Sequence, residues 1–230
     1  MLFDSRCAGC HRVGPVLCRT CRFALAAPVA LPRSGDVIAA LPFAGRPRDV
    51  ILGFKYGNRR QLGHHVAGLL VNRLLASGVR PHDIDVVTWA PTSRKRRRRR
   101  GFDQAELVAQ RVAAQLGLPC RRLLEREGDD LPQTGRDRVA RLHGPVFRAS
   151  PRAAGERILV VDDVVTTGAT LRSASAALHR AGARGVARAA LATTPAVLAR
   201  ADDRPPRTRQ RPTTAHAPRR STVVQGPWAA

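Results

Sequence analysis

Apolar residues follow two spacings along this chain, and together these spacings predict alternating strands and helices. The run 158–161 is continuously apolar and mostly β-branched, which is typical of a strand buried on both faces of a parallel sheet. Apolar residues with a period near 3.6 predict an amphipathic helix over 61–76. The same criteria predict helices at 46–56, 104–116 and 171–181, and strands at 36–43, 84–89, 120–124 and 186–192.

This order of elements predicts an α/β fold with a parallel sheet flanked by helices. We expect three regions: a small amino-terminal module with a tether (1–33, the tether being the Ala- and Pro-rich stretch 23–32), the α/β domain (34–198) and a tail (199–230). Pro, Arg and Thr dominate the tail and leave little to bury, so it is expected to be disordered. The polar segment 129–145 lacks periodicity and is expected to be a mobile loop.

Composition narrows the choice of partners. The 230 residues carry a formal net charge of +23, and 43% of them are hydrophobic but only 4% aromatic. A chain this basic favours polyanions or phosphorylated small molecules, and a GC-rich genome is the alternative, non-functional explanation of its Arg-rich composition. No apolar run is long enough to span a bilayer, and the start lacks the zones of a signal peptide. These features predict a cytoplasmic protein without a membrane partner.

The chemistry of the chain concentrates directly after the run 158–161. Asp162 and Asp163 follow it, and then a turn bearing Thr166, Thr167 and Gly168 leads into a helix. Such a loop at the carboxyl end of a strand exposes N–H groups that attract a phosphate. Ionised carboxylates accept hydrogen bonds from sugar hydroxyls. A ribose 5-phosphate would bind both to the carboxylates and to the turn. The alternative is an ordinary surface turn in which Asp and Thr are capping residues.

The stretch 158–171 resembles the phosphoribosyl-pyrophosphate (PRPP) signature of type I phosphoribosyltransferases. The resemblance implies that Asp162 and Asp163, the predicted catalytic residues, hold the ribose hydroxyls, and that the 5-phosphate lies against Thr166, Thr167, Gly168, Ala169 and Thr170. It also implies that the loop after the 84–89 strand binds the pyrophosphate of Mg²⁺-bound PRPP through Pro91, Thr92, Ser93 and Arg94. Lys55 is either a second phosphate contact or an ordinary surface lysine.

The chain as a whole is similar to the ComF family of competence-associated, phosphoribosyltransferase-like proteins. The motifs that carry this similarity are Phe54-Lys-Tyr-Gly57, Arg100-Gly-Phe-Asp-Gln104, Gln133-Thr-Gly135 and 160–170. The resemblance implies a link to the uptake of single-stranded DNA. The segment 136–144 departs from the family pattern, because it lacks the usual Glu and Asn. The resemblance therefore supports PRPP binding more strongly than it supports turnover.

Two Cys-x-x-Cys pairs precede the α/β domain. Cys7 and Cys10 form the first pair, and Cys18 and Cys21 the second. Two such turns can complete the tetrahedron of thiolates that a structural Zn²⁺ prefers, and a redox dithiol is the alternative. Cys120 stands apart and is expected to be a small core residue.

Two functions follow from these features. The first is an enzyme that binds Mg–PRPP and transfers the phosphoribosyl group to an unidentified base. The second is a non-catalytic module that senses PRPP or a nucleotide and binds single-stranded DNA or a helicase partner. The basic run 94–100 is either a solvated helix surface or a rim for pyrophosphate or nucleic acid. The sequence identifies neither the acceptor base nor the oligomeric state.

Overall fold

A computed structural model describes residues 6–27, 36–56, 59–127 and 145–194. The helices are α1 (Arg19–Ala26), α2 (Gly45–Tyr56), α3 (Leu62–Ala76), α4 (Arg94–Arg100), α5 (Gln104–Leu116) and α6 (Ala169–Arg180). The strands are β1 (Val37–Pro42), β2 (Val86–Trp89), β3 (Leu124–Arg126), β4 (Phe147–Ala149), β5 (Arg157–Val165) and β6 (Gly185–Thr193). Short 3₁₀ helices occupy Pro81–Asp83 and Pro151–Ala153.

Four strands form a parallel sheet in the order β1-β6-β5-β2, which confirms the predicted fold class. Helices α3 and α5 pack on one face of the sheet. Helix α6 packs on the other face, together with the antiparallel pair β3–β4. Because both faces are covered, Ile158, Leu159, Val160 and Val161 of β5 are fully buried. Each such side chain contributes about 1.5–3 kcal/mol when it leaves water.

Three details differ from the prediction. Strand β5 continues to Val165, so Asp162 and Asp163 lie within the strand and do not follow its end. The expected strand over 120–124 is an isolated bridge between Val87 and Cys120, and the strand there begins only at Leu124. The basic run forms its own helix, α4, which ends at Gly101 in the left-handed region (φ 76°).

The expected tether is wrong for its first residues, because 23–26 belong to helix α1. The amino-terminal module also packs directly on the domain: Cys7, Ala8 and Cys21 share one apolar cluster with Val50 and Phe54 of α2. In the part of the chain that the structure describes, no helix has the length and apolar character needed to cross a membrane. Residues 129–144 of the predicted loop 129–145, which include the motif Gln133-Thr-Gly135, lie outside the described residues. So do Gly57 of the motif Phe54-Lys-Tyr-Gly57 and the predicted tail.

Candidate functional site

The two predicted carboxylates lie in β5, an interior strand of the sheet, close to the carboxyl end of that strand. Trp89, the last residue of β2, pairs with Val161 of β5. The N–H of Ala90 donates to the carbonyl of Val161 at 3.0 Å, so the loop after β2 begins beside Asp162. Both predicted ligand loops therefore leave the same edge of the sheet, which is where open α/β sheets bind ligands.

Asp163 is paired with a lysine from another part of the chain. The Nζ of Lys55, at the end of α2, lies 2.8 Å from Oδ2 of Asp163, and the two side chains are only 11% and 18% exposed. Lys55 is therefore a partly buried partner of the carboxylate pair and not an ordinary surface lysine. Its predicted role as a phosphate contact stays a prediction.

Burial and crowding keep Asp162 from ionising readily. Burial, and then the neighbouring charge of Asp163, raise the pKa of Asp162 to about 7, against the opposing effect of Lys55. Two adjacent carboxylates in a poorly solvated site hold a proton more tightly than either alone. Near neutral pH, Asp162 can therefore only accept hydrogen bonds when it is ionised and can also donate one when it is protonated.

The second half of the site is the turn from β5 into α6. Thr166 and Thr167 are exposed, Gly168 is buried, and Ala169 and Thr170 are half-buried in the first turn of the helix. Gly168 has φ 75°, a conformation that favours glycine, and a Cβ there would lie 2.9 Å from Nη1 of Arg172. The Nη1 of Arg172 donates to the carbonyl of Thr167 at 2.7 Å, which fixes the turn. This contact of Arg172 could not be predicted from the sequence, because arginines are common in the chain.

The loop after β2 carries the other predicted ligands. Pro91 is buried, Thr92 and Ser93 are half-buried, and Arg94 is exposed. The N–H of Thr92 donates to Oδ2 of Asp103 at 2.8 Å. Asp103 also caps helix α5, because its Oδ1 accepts the N–H of Ala105 at 3.0 Å. The side chain of Glu106, in the first turn of that helix, lies towards Arg97 at 3.9 Å.

A hydrogen-bonded chain connects Lys55 to the basic helix. Gln104 is buried and donates from Nε2 to the backbone carbonyl of Lys55 at 3.4 Å. Its Oε1 accepts from Nη1 of Arg100 at 2.7 Å, and Nη2 of Arg100 donates to the Tyr56 hydroxyl at 3.1 Å. This bond from Arg100 lowers the pKa of Tyr56. Gln104 belongs to the motif Arg100-Gly-Phe-Asp-Gln104, but its contacts with Lys55 and Arg100 were not predicted from the sequence.

The rest of the basic run faces solvent. The side chains from Arg94 to Arg99 are exposed on α4, and only Arg100 is half-buried. Arg99 and Arg100 lie over the ring of Tyr56, with 5.6 and 4.9 Å from guanidinium carbon to ring centroid. The structure therefore joins the run to the site at one end and leaves most of its charge at the surface.

The four amino-terminal cysteines converge as predicted. The Sγ atoms of Cys7, Cys10, Cys18 and Cys21 all lie within 4.8 Å of one another. A tetrahedral zinc–thiolate site has sulfurs about 3.8 Å apart, and Cys10 and Cys18 have Sγ atoms 3.7 Å apart. Burial acts to raise the pKa of Cys7, but N–H groups from Cys18, Gly9 and Cys10 lower it to about 6. The cluster fits a metal ion that takes four thiolates, and Cys120 lies outside it.

The chain is similar to solved structures at low sequence identity. No curated protein matches the chain. Among solved structures, glutamine PRPP amidotransferase from B. subtilis, complexed with ADP and GMP, is 21% identical over 59% of this chain and 29% of that chain, with a TM-score of 0.42. Purine phosphoribosyltransferase from Pyrococcus horikoshii Ot3 is 20% identical over 59% of this chain and 75% of that chain, with a TM-score of 0.38. The chain thus covers less than a third of the amidotransferase, and TM-scores this low add nothing beyond the likeness itself.

The family comparison is decisive. The model of the phosphoribosyl transferase domain matches residues 98–216, just over half of the 230-residue chain. The matched region contains the carboxylate pair and the turn 166–170. The chain therefore belongs to the phosphoribosyl transferase domain family.

Proposed function

We propose that this protein binds Mg–PRPP and transfers its phosphoribosyl group to a nitrogen base. One observation carries the proposal: the carboxylates of Asp162 and Asp163 lie between two loops that leave the same edge of the sheet. One loop, at 166–170, opens helix α6, whose first N–H groups and dipole favour a phosphate. The other, at 90–94, is the pyrophosphate loop of the proposal.

The residues of this chain act by binding and orientation. The ionised carboxylates accept hydrogen bonds from the two ribose hydroxyls, and their charge lies near the ring on which positive charge develops. The incoming nitrogen bonds to the anomeric carbon as the bond to the pyrophosphate oxygen breaks and pyrophosphate leaves with the electron pair. Bound Mg²⁺, held with the pyrophosphate, supplies charge neutralisation for the leaving group. We assign no residue as general base.

Lys55 has a defined part in this proposal. In the structure it neutralises Asp163. When the sugar hydroxyls engage the carboxylates, the lysine ammonium turns in this proposal towards the phosphate oxygens, as its flexible four-carbon stem allows. Lys55 then acts first as a counter-ion of the carboxylates and afterwards as a ligand of the substrate.

The direct test is a pyrophosphate-release assay with Mg–PRPP across a panel of purine, pyrimidine and nicotinic bases. The wild-type protein is expected to release pyrophosphate with at least one base, and Asp162→Ala/Asp163→Ala to release none. Asp49→Ala, which removes a carboxylate from the first half of α2, is the control. PRPP binding without release for any base would overturn transfer and leave the binding half standing.

A second function has its own support in helix α4. Its exposed side chains from Arg94 to Arg99 form a basic surface beside the site. This surface supports the alternative of a module that contacts single-stranded DNA, as the similarity to ComF proteins and their competence role implies. A helicase partner and a cytoplasmic location remain predictions of the same kind.

The DNA alternative is tested by the anisotropy of a labelled single-stranded oligonucleotide. Replacing Arg96 and Arg98 with Ala is expected to weaken the binding of the oligonucleotide. It should also reduce the loss of affinity between about 50 and about 200 mM salt. Arg180→Ala/Arg184→Ala removes the same charge from another surface and serves as the control. Equal losses in both variants would show attraction to a basic protein in general, and would refute a role for α4.

A further inference from the structure

Asp103 contacts two separate elements of the site with one carboxylate. Its Oδ1 accepts the N–H of Ala105 at 3.0 Å and caps helix α5. Its Oδ2 accepts the N–H of Thr92 at 2.8 Å, in the loop that leaves β2. The side chain is only 5% exposed, so both bonds form in a poorly solvated place. Helix capping needs one of these oxygens, and the second is committed to the loop.

The bond to Thr92 completes the support of that loop. Ala90 is fixed at one end by its bond to the carbonyl of Val161 in β5. Ser93 is fixed at the other end as the cap of α4, where its Oγ accepts the N–H of Arg96 at 3.4 Å. Asp103 holds the peptide between them. A loop that binds an anion through backbone and side-chain groups gains from being held in place before the ligand arrives.

The chemistry of the contact requires a carboxylate. The N–H donors lie in two separate elements, with Thr92 in the loop bonded to Oδ2 and Ala105 in the helix bonded to Oδ1, and an ionised Asp supplies both acceptor oxygens. An Asn offers one oxygen, and its NH₂ group would face one of the two donors. A Ser can cap the helix but has a single, shorter hydroxyl. Burial raises the pKa of Asp103, and the bonds from Thr92, Glu106 and Ala105 oppose that rise.

We propose that Asp103 is a positioning residue for pyrophosphate recognition: through Thr92 it sets the conformation of the loop 90–94 and hence where Ser93 and Arg94 meet the anion. This inference rests on the proposed function, because it takes that loop as the pyrophosphate site. It also makes a counter-intuitive prediction. Removing a negative charge near a bound anion should tighten binding on electrostatic grounds alone, whereas loss of positioning should weaken it.

The test compares Asp103→Ser with wild type in three titrations, using Mg–pyrophosphate, Mg–PRPP and ribose 5-phosphate. Ser keeps a cap on α5 and loses the bond to Thr92. We expect the Kd for Mg–pyrophosphate and Mg–PRPP to rise about tenfold or more, the loss of one hydrogen bond to a charged group. The Kd for ribose 5-phosphate should be unchanged, since that ligand engages 162–170. Asp49→Ser makes the same change of charge and should match wild type throughout.

The outcomes separate the two proposals. Unchanged or tighter pyrophosphate binding by Asp103→Ser would overturn the positioning role while leaving the proposed function intact. Equal losses for all three ligands would also overturn it, because they indicate general damage to the site. If wild type binds none of the three ligands, the proposed function itself fails. If Asp103→Ser does not fold, Asp103→Asn is used, because Asn caps a helix as well as Asp does but lacks the second acceptor; the same selective loss is expected.

Discussion

The ion pair between Lys55 and Asp163 provides the sharpest test of the structure of the site. Replacing Lys55 with Met keeps the length of the side chain and removes its charge. The two groups are 2.8 Å apart and mostly buried, so the variant leaves Asp163 without its cation beside Asp162. A hydrogen bond to a charged partner in such a place is worth about 2 kcal/mol. For a domain of this size, that loss lowers the Tm by about 4–8 °C.

The loss should depend on pH in a defined direction. The pKa of Asp162 is raised from 3.8 to about 7, so its protonation adds stability that is complete below 3.8 and is lost as the pH rises through about 7. Lys55 opposes this rise, and without it the pKa climbs further. The free-energy difference between Lys55→Met and wild type should therefore be largest above pH 7 and should shrink towards pH 4.

Urea denaturation followed by circular dichroism measures this difference, and a double-mutant cycle isolates the pair. In an Asp163→Asn background, Lys55→Met should cost about 1 kcal/mol less than in wild type, because its partner charge is gone. A Lys55→Met variant that is as stable as wild type above pH 7 would contradict a stabilising ion pair. An equal loss of the free energy of unfolding on Lys55→Met in the wild-type and Asp163→Asn backgrounds would also contradict it.

Three further predictions concern other parts of the molecule. Hydrogen bonds from Arg157 lower the pKa of Asp85 to about 2, so Asp85→Asn should lower the free energy of unfolding at neutral pH by about 1 kcal/mol in urea denaturation, a modest value because about a third of each side chain is exposed. This difference should shrink below pH 3.8 and vanish near pH 2, and a difference that is constant with pH would contradict the prediction. Purified protein should contain about one zinc per chain by atomic absorption, Cys7→Ser should lose it and Cys120→Ser should keep it; equal zinc in the two variants would exclude the thiolate cluster as the site. The affinity of wild type for Mg–PRPP should fall as the pH drops below about 7, where Asp162 protonates, and the affinity of Asp162→Asn should fall less steeply. If the affinities of wild type and Asp162→Asn change in parallel with pH, the titrating group belongs to the ligand and not to Asp162.

The sequence predicted the architecture because local patterns determine it. The apolar run 158–161 required a strand covered on both faces, and the 3.6-residue period of α3 required one buried stripe. The convergence of the four cysteines followed in the same way from the spacing of two turns. Helix α1 was missed because its Ala-rich composition suggested a tether, whereas packing of Cys21 and Leu25 into the core stabilises a helix there.

The contacts that organise the site could not be predicted, because they join residues far apart in the chain. Lys55 reaches Asp163 across more than a hundred positions, and Asp103 reaches Thr92 across eleven. Each residue had an ordinary local explanation, a surface lysine in one case and a helix cap in the other. Only the packing of α2 and α5 against the sheet brings their charged groups to the carboxyl ends of β2 and β5.

Isothermal titration of Mg–PRPP into the full chain tests the central claim most directly, with wild type, Asp162→Asn/Asp163→Asn and Asp49→Asn measured side by side. The account predicts saturable binding of one ligand per chain by wild type and Asp49→Asn. In the double variant, the loss of both carboxylate charges and of one acceptor oxygen at each position should weaken binding about a hundredfold or more. Absence of heat in the wild type, or equal affinity in the double variant, would contradict the claim that this edge of the sheet holds a phosphoribosyl ligand.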